Sequence, residues 1–238
     1  MKQQKGYWQT LVPSPTKTNE SLMLELSRTW EPTNRKLAHK YGVGKNHSIV
    51  FLAETWMDEA RLVLIQDRIK FKHKFVASRR NKVGGLVIFW KEDFDLTIET
   101  FSKNHIDTTV NKNKVEEWRF TGFYGKPDTR NRHEAWACIK NLKSRGSAPW
   151  ICAGDFNEIT NQSEKLRGRV RPHVQMQAFK DILDECGFLD LGFVGSEFIW
   201  HKHFAGYIAW ERLDRAVATS DWLSLFLDTK IYHLKAGI

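Results

Sequence analysis

The chain has 238 residues, 41% of them hydrophobic, which is enough for one sizeable core and small for two ordinary domains. No apolar run approaches the roughly 20 residues of a membrane helix. The N-terminus "MKQQKGYWQTLVPSPTKTNE" lacks the apolar middle of a signal peptide, so an intracellular protein without membrane association is expected, the nucleus included. The 37 Lys and Arg against 28 acids give a net charge of +9, which favours an anionic partner such as nucleic acid. Three cysteines without a C-x-x-C pair argue for reduced thiols rather than a disulfide framework or a zinc knuckle.

Residues 1–47 read as polar and irregular, broken by Pro13, Pro15 and Pro32, with at most a helix around "ESLMLELSRTW". The texture then changes. "SIVFLA" (48–53) reads as a buried strand, and "TWMDEARLVLIQ" as a helix with Thr55 and Asp58 as its capping pair. In "IKFKHKF" (69–75), Ile69, Phe71 and Phe75 alternate with Lys70, Lys72 and Lys74, the period of a strand with one basic face. Arg79, Arg80 and Lys82 extend that patch. Strands follow in "GGLVIFW" (84–90), "FDLTIETFS" (94–102) and "EEWRFTGFYG" (116–125). A helix from about Arg132 to Leu142 precedes the strand "WICAGDF", and an amphipathic helix over 174–187 closes at Gly187. "SEFIWHKH" and "AWERLDRAVAT" read as strands and "DWLSLF" as a last short helix. Many strands with a few helices and no regular strand-helix-strand rhythm predict an α/β (α+β) chain built as a β-sandwich covered by helices.

Polar side chains fall at four apparent strand ends. Asp155 and Asn157, two apart in "GDFN", share a face if the segment is extended, while Phe156 turns toward the core. A carboxylate there can orient or deprotonate a water, and a neighbouring amide can donate to a phosphate oxygen without adding negative charge. Glu54 follows "SIVFLA" directly, and one such carboxylate with waters and substrate phosphate suffices for Mg²⁺. Tyr124 ends a strand before "GKP", where its hydroxyl can reach a phosphate, and Asp214 lies between two arginines in "ERLDR". Each has an ordinary alternative: a strand-end turn, an acid favoured by a helix N-terminus, a half-buried tyrosine, a local salt bridge. Basic residues Lys165, Arg167, Arg169 and Arg171, in a Gly-containing segment read as a loop, form a second cluster available for phosphate contacts.

From about Ser48 to Leu234 the chain resembles the endonuclease/exonuclease/phosphatase superfamily, and within it the endonuclease-like domains of plant LINE-type non-LTR retroelements. The motifs that carry the resemblance are "FLAET", "GGLVIFW", "NHID", "WRFTGFYGKPDTRNRHEAW", "PWICAGDFNEI", "CGFLDLGFVGSEFIW" and "ERLDR". The resemblance implies a four-layered α/β/β/α sandwich and hydrolysis of a phosphodiester dependent on one Mg²⁺, or Mn²⁺ in its place. It implies DNA as partner and a monomer. Carried over by position, Glu54 is the metal ligand, Asp155 the acid that positions the attacking water, and Asn157 a phosphate contact. Tyr124 assists at the phosphate, Asp214 orients a catalytic histidine, and Trp200 stands near the site in an "FTW"-like segment.

The family pattern also opens on a strand ending in a "WNxRG"-like motif and closes on a strand carrying "SDH"; neither motif stands in this sequence, and Ile199 replaces the Thr of "FTW". The expectation is therefore a divergent N-terminal segment (1–47) and a family domain (48–238) truncated at its C-terminus, lacking the first motif strand and the last strand and leaving an open sheet edge. Its DNA-nicking chemistry would be incomplete, since acid-base groups contribute about 10²- to 10⁴-fold each and act as a unit. The alternatives are a non-catalytic basic nucleic-acid-binding relic and a phosphatase acting on a small phosphoester.

Overall fold

The structure, a computed structural model, describes residues 7–12, 22–26, 47–55, 57–77, 85–227 and 229–235. Strands β1 (Tyr7–Val12), β2 (Leu22–Leu26) and β3 (Ile49–Thr55) precede helix α1 (Glu59–Ile69). Five strands follow, β4 (His73–Ala77), β5 (Gly85–Trp90), β6 (Leu96–Phe101), β7 (His105–Val110) and β8 (Trp118–Tyr124), and then α2 (Arg132–Lys143). After β9 (Trp150–Asp155) and the short β10 (Lys165–Leu166) comes α3 (His173–Cys186). The rest is β11 (Phe188–Asp190), β12 (Val194–Gly195), β13 (Trp200–Phe204), β14 (Tyr207–Glu211), β15 (Asp214–Thr219), α4 (Ser220–Leu225) and β16 (Lys230–Lys235).

Two sheets dominate, one ordered β12-β16-β1-β2-β3-β5-β4 and the other β11-β15-β9-β8-β7-β6, with a small third sheet β10-β14-β13. The central strands are apolar on both faces because each face is covered, the pattern expected of strands buried inside layers. Along β3, Ile49, Phe51 and Ala53 enter the core between the sheets, while Val50 and Leu52 pack outward with Leu62, Ile65 and Ile69 of α1. Along β9, Ile151 and Ala153 face the same inter-sheet core, while Trp150 and Cys152 face α2 and α3 through Trp136, Ile139, Phe179 and Leu183. The layers are therefore helix, sheet, sheet, helices, the four-layered α/β/β/α arrangement expected. Gly122 lets the sheets approach: a Cβ there would lie 2.3 Å from the Phe51 ring.

Several local expectations give way. Residues 22–26, read as part of a helix, form β2, which runs parallel to β3 with Leu26 opposite Ala53. A strand thus does stand beside the one that carries Glu54. β16 pairs along its length with β1 and, on its other side, with β12 only at Tyr232 and His233. Asp58 alone caps α1, accepting from the Arg61 N–H at 2.9 Å, while Thr55 belongs to β3 and donates to Gly85 O at 3.0 Å. The alternation read over residues 69–75 is interrupted. Ile69 ends α1, buried under β3 and β5, and Lys70 is its left-handed C-cap, so β4 starts only at His73. The 3.6-residue period of α1 and the alternation of β4 overlap there, and tertiary burial of Ile69 decides the boundary.

Candidate active site

The site is assembled at one end of both sheets. In the second sheet Tyr124 lies opposite Asp155, and Asp155 opposite Asp214, so β8, β9 and β15 set three polar side chains in a row. All three continue the inward-facing positions of their strands, after Phe120, after Ile151 and Ala153, and before Ala216 and Ala218. Strand neighbours lie about 4.8 Å apart, so the row spans on the order of 10 Å. Glu54 comes from the other sheet, at the end of β3. The Tyr124 hydroxyl donates to its carboxylate across the sandwich and so joins the two sheets at the site.

The strand ends have unusual backbones that fix these positions. Gly154, at φ 149°, allows β9 to approach β8 closely, since a Cβ there would sit 1.9 Å from Phe123 O. Beyond Asp155 the chain turns: Gly125 N–H donates to Asp155 O at 2.6 Å and Phe156 N–H to Leu213 O at 3.0 Å. Phe156 is fully buried beside Phe123 and Phe179. Asn157 then takes a left-handed φ of 56°, donating its N–H to Asp155 Oδ1 at 2.7 Å and its Nδ2 to Gly125 O at 3.4 Å. Asp155 and Asn157 do meet, but through this turn rather than by sharing the face of an extended strand. Glu54 is also left-handed, at φ 54°. Such conformations cost of order 1 kcal/mol or more in a non-glycine residue and persist where the surroundings over-determine them.

Glu54, Tyr124 and Asp155 are half-buried, while Asn157 and Asp214 are buried. Burial, with the Glu54 charge adding to it, pushes the Asp155 carboxyl up to about 7, against the Asn157 N–H bond and the Arg132 charge. Burial, followed by the charges of Asp155 and Glu54, holds Asp214 well above the ordinary carboxylate range. The arginines flanking Asp214 are not its ion-pair partners. Arg212 binds Glu164 at 2.9 Å and Asp190 at 2.8 Å, and Arg215 binds Asp190 at 2.5 Å and also Glu164. The local salt-bridge alternative for "ERLDR" is thereby set aside, because Arg215 points to the helical side of its strand, where its guanidinium lies over Phe179.

The carboxylate chemistry of the site, with Glu54 as the expected ligand, suits a hard divalent cation such as Mg²⁺ or Mn²⁺ rather than a thiolate or imidazole metal. Among the described residues no group of three or more His, Cys, Asp or Glu side chains is placed to hold a metal ion together. Glu54 is compatible with Mg²⁺ without such a group, since Mg²⁺ keeps several waters and uses one or two carboxylates with substrate phosphate. Trp200 is half-buried and packs with Met176 and with Ile159 and Leu213, which neighbour Asn157 and Asp214 in sequence.

The basic residues divide. Lys165 and Arg171 lie in buried ion pairs, Lys165 with Glu211 and Arg171 with Glu211 at 2.9 Å and Glu158 at 3.0 Å. This corrects their reading as loop cations open to phosphate: Glu211 is drawn next to Lys165 by the β10–β14 pairing. Arg167 and Arg169 are exposed, as are Lys70 and Lys72, whereas Lys74 pairs with Glu59 at 2.6 Å. Arg79, Arg80 and Lys82 lie outside the described residues. Sequence reasoning passed over Glu158, fully buried against Arg132 and Arg171, and Asn104, whose amide donates to Tyr124 O at 2.6 Å. The only sequence signals for them were their neighbours, "GDFNE" and "NHID".

The model of the endonuclease/exonuclease/phosphatase family matches residues 30–232 of this chain. The chain belongs to that family. Among solved structures the family fold recurs in the endonuclease domain of TRAS1, a telomere-specific non-LTR retrotransposon, with a TM-score of 0.64 at 16% identity, covering 86% of this chain and 87% of that one. The AP endonuclease LMAP from Leishmania major superposes with a TM-score of 0.58 at 12% identity, covering 92% and 81% of the two chains. A 3′ phosphatase from Neisseria, NExo, bound to a product DNA hairpin, gives 0.55 at 16%, covering 79% and 81%. Comparison with curated protein sequences yields no match. No helix among the described residues is long and apolar enough to cross a membrane.

Proposed function

We propose that this family member is a retroelement-type endonuclease that hydrolyses DNA phosphodiesters with a divalent cation. The observation that carries the reading is the meeting of Glu54, Tyr124, Asp155 and Asp214, from four strands in two sheets, at one end of the sandwich. In this reading Glu54 holds Mg²⁺ or Mn²⁺, and Tyr124, by donating to that carboxylate, fixes its orientation. The ion, when bound, neutralises charge on the substrate phosphate. Asp155, half-open and with its carboxyl near neutrality, holds the attacking water and accepts its proton. The Asn157 amide, presented by a left-handed turn against Gly125, donates to a phosphate oxygen. The exposed Arg167, Arg169, Lys70 and Lys72 contact the DNA backbone.

Turnover is slow in this proposal. The charges of Asp155 and Glu54 help hold the Asp214 carboxyl up, Arg215 and Arg212 oppose them, and this reading assigns no residue to the role of the family pattern's acid-base histidine. His233 instead bonds Ser196 O at 2.7 Å and stacks on Phe193. The same observation favours a second reading, binding of nucleic acid without hydrolysis.

Supercoiled plasmid incubated with the chain and Mg²⁺ separates the two. Slow nicking that disappears with EDTA and in Asp155→Ala supports the endonuclease. Salt-sensitive DNA binding with no nicking leaves the binding reading, and absence of both refutes each.

A further inference from the structure

Tyr124 matters to the proposed site only if its ring crosses the sandwich to Glu54, and the chain leaves β8 at this residue. On one side it is held by β9, opposite Asp155. On the other side the β7–β8 ladder has ended, its last pair being His105 with Phe123. Asn104 continues the hold one residue further. Its backbone carbonyl accepts from the Tyr124 N–H at 2.7 Å, and its side-chain Nδ2 donates to the Tyr124 carbonyl at 2.6 Å. Both backbone groups of Tyr124 are thus fastened by one buried residue.

Asn104 is itself braced. Its N–H donates to Ser102 Oγ at 3.0 Å, the Ser102 N–H donates to His105 O at 2.8 Å, and Ser102 Oγ lies 2.9 Å from His105 Nδ1. A side chain that donates to one carbonyl while its own backbone accepts from the same residue needs a short amide. Aspartate and alanine both keep the backbone carbonyl, but neither has the Nδ2 donor. We propose that Asn104 is a positioning residue of this site: it fixes the backbone of Tyr124 so that the phenol meets the Glu54 carboxylate. Its effect on turnover rests on the endonuclease reading, but its effect on Tyr124 does not.

The test uses the full chain carrying ¹³C at tyrosine Cζ, with the Tyr124 signal identified by its loss in Tyr124→Phe. In metal-free protein this signal should move in Glu54→Gln, where the bonding partner changes. It should move likewise in Asn104→Ala and in the near-isosteric Asn104→Asp, which keeps the backbone acceptor and loses the donor. If either Asn104 variant folds and leaves the Tyr124 signal at its wild-type position, the proposal is overturned, whether or not the chain cuts DNA. A fall in Tm without movement of that signal likewise marks a merely structural residue and overturns it. Where plasmid nicking is observed, kcat should fall about 10- to 100-fold with KM within about twofold, as expected for misplacement of a group at the reacting centre.

Discussion

Asp155 and Asp214 are direct cross-strand partners, at the last position of β9 and the first of β15. Two carboxyls set side by side in a largely apolar sandwich repel each other when both are ionised. Arg212 and Arg215, which flank Asp214 in sequence, are ion-paired instead to Glu164 and Asp190. The pair is therefore a destabilising element of the metal-free fold, of the kind held at a functional site by the surrounding structure.

Replacing either acid by asparagine should stabilise the metal-free protein and disable it. Asp155→Asn is expected to raise Tm by a few degrees, about 1–2 kcal/mol, and to lower nicking by about 10²-fold or more. The sign with pH follows from the raised carboxyl. Between about 4 and about 7 the folded state binds more protons at Asp155 than the unfolded state does, so its contribution is full below about 4 and is lost as pH rises toward 7. The stability gained in Asp155→Asn should accordingly grow over that interval in thermal melts taken at successive pH values.

The basic segment after the site should separate into two functions. Neutralising the exposed Arg167 and Arg169 to glutamine should change stability by less than about 0.5 kcal/mol. It should also lower the salt dependence of DNA binding by roughly one unit of log–log slope for each phosphate that is no longer neutralised. Neutralising Lys165 or Arg171 should lower the urea midpoint, because buried Glu211 then loses one of its two cationic partners and, in the Arg171 variant, buried Glu158 keeps only Arg132. Equal stability losses for both pairs would show that the exposed arginines are structural too.

Arg215 is fully buried between Glu164 and Asp190. Arg215→Ala should cost about 3–5 kcal/mol, the range for breaking a buried ion pair from one side. Arg130, paired at the surface with Asp128, has an 85% exposed side chain, and Arg130→Ala should leave the denaturation midpoint essentially unchanged. Chemical denaturation of the two variants gives the comparison directly.

Gly154→Ala should destabilise by about 3 kcal/mol or more. The added Cβ would lie 1.9 Å from Phe123 O, in a backbone conformation that L side chains rarely adopt. Backbone cannot move aside as a flexible side chain can, so the variant should lose DNA nicking along with stability. A wild-type denaturation midpoint for Gly154→Ala would contradict the close approach of β8 and β9.

Acid should unfold the protein before its carboxylates titrate fully. Burial lowers both His47 and His233 to about 4, so the folded state binds fewer protons there than the unfolded state between about 6.5 and 4. Stability from these two groups is complete above about 6.5 and is lost as pH falls through that window, on the order of 3 kcal/mol each at 1.36 kcal/mol per unit. His47→Gln and His233→Gln should flatten the decline of Tm between pH 6.5 and 4, though each also changes a buried contact.

Much of this molecule was legible in its sequence. The runs "SIVFLA", "GGLVIFW" and "WICAGD" are apolar on both faces because they lie between layers, and the spacing of Met176, Phe179, Ile182, Leu183 and Cys186 draws one face of α3. Strand ends carrying Glu54, Tyr124, Asp155 and Asp214 could be read locally, since alternation and turn chemistry are local. The break at Ile69 could not, because helical and strand periods both fit those residues and only burial against β3 and β5 chooses between them. Nor could the roles of like-looking charges. Arg171 and Arg169 are two residues apart in one basic run, yet one is fastened to Glu158 and Glu211 and the other is exposed. The sequence by itself determined the layered class, most of the strands and the acids of the site. Only the tertiary structure decided which acids meet, that Tyr124 joins the sheets, that Asn104 holds it, and which cations face solvent. Those outcomes depend on pairings between residues as much as seventy positions apart, which no local period records.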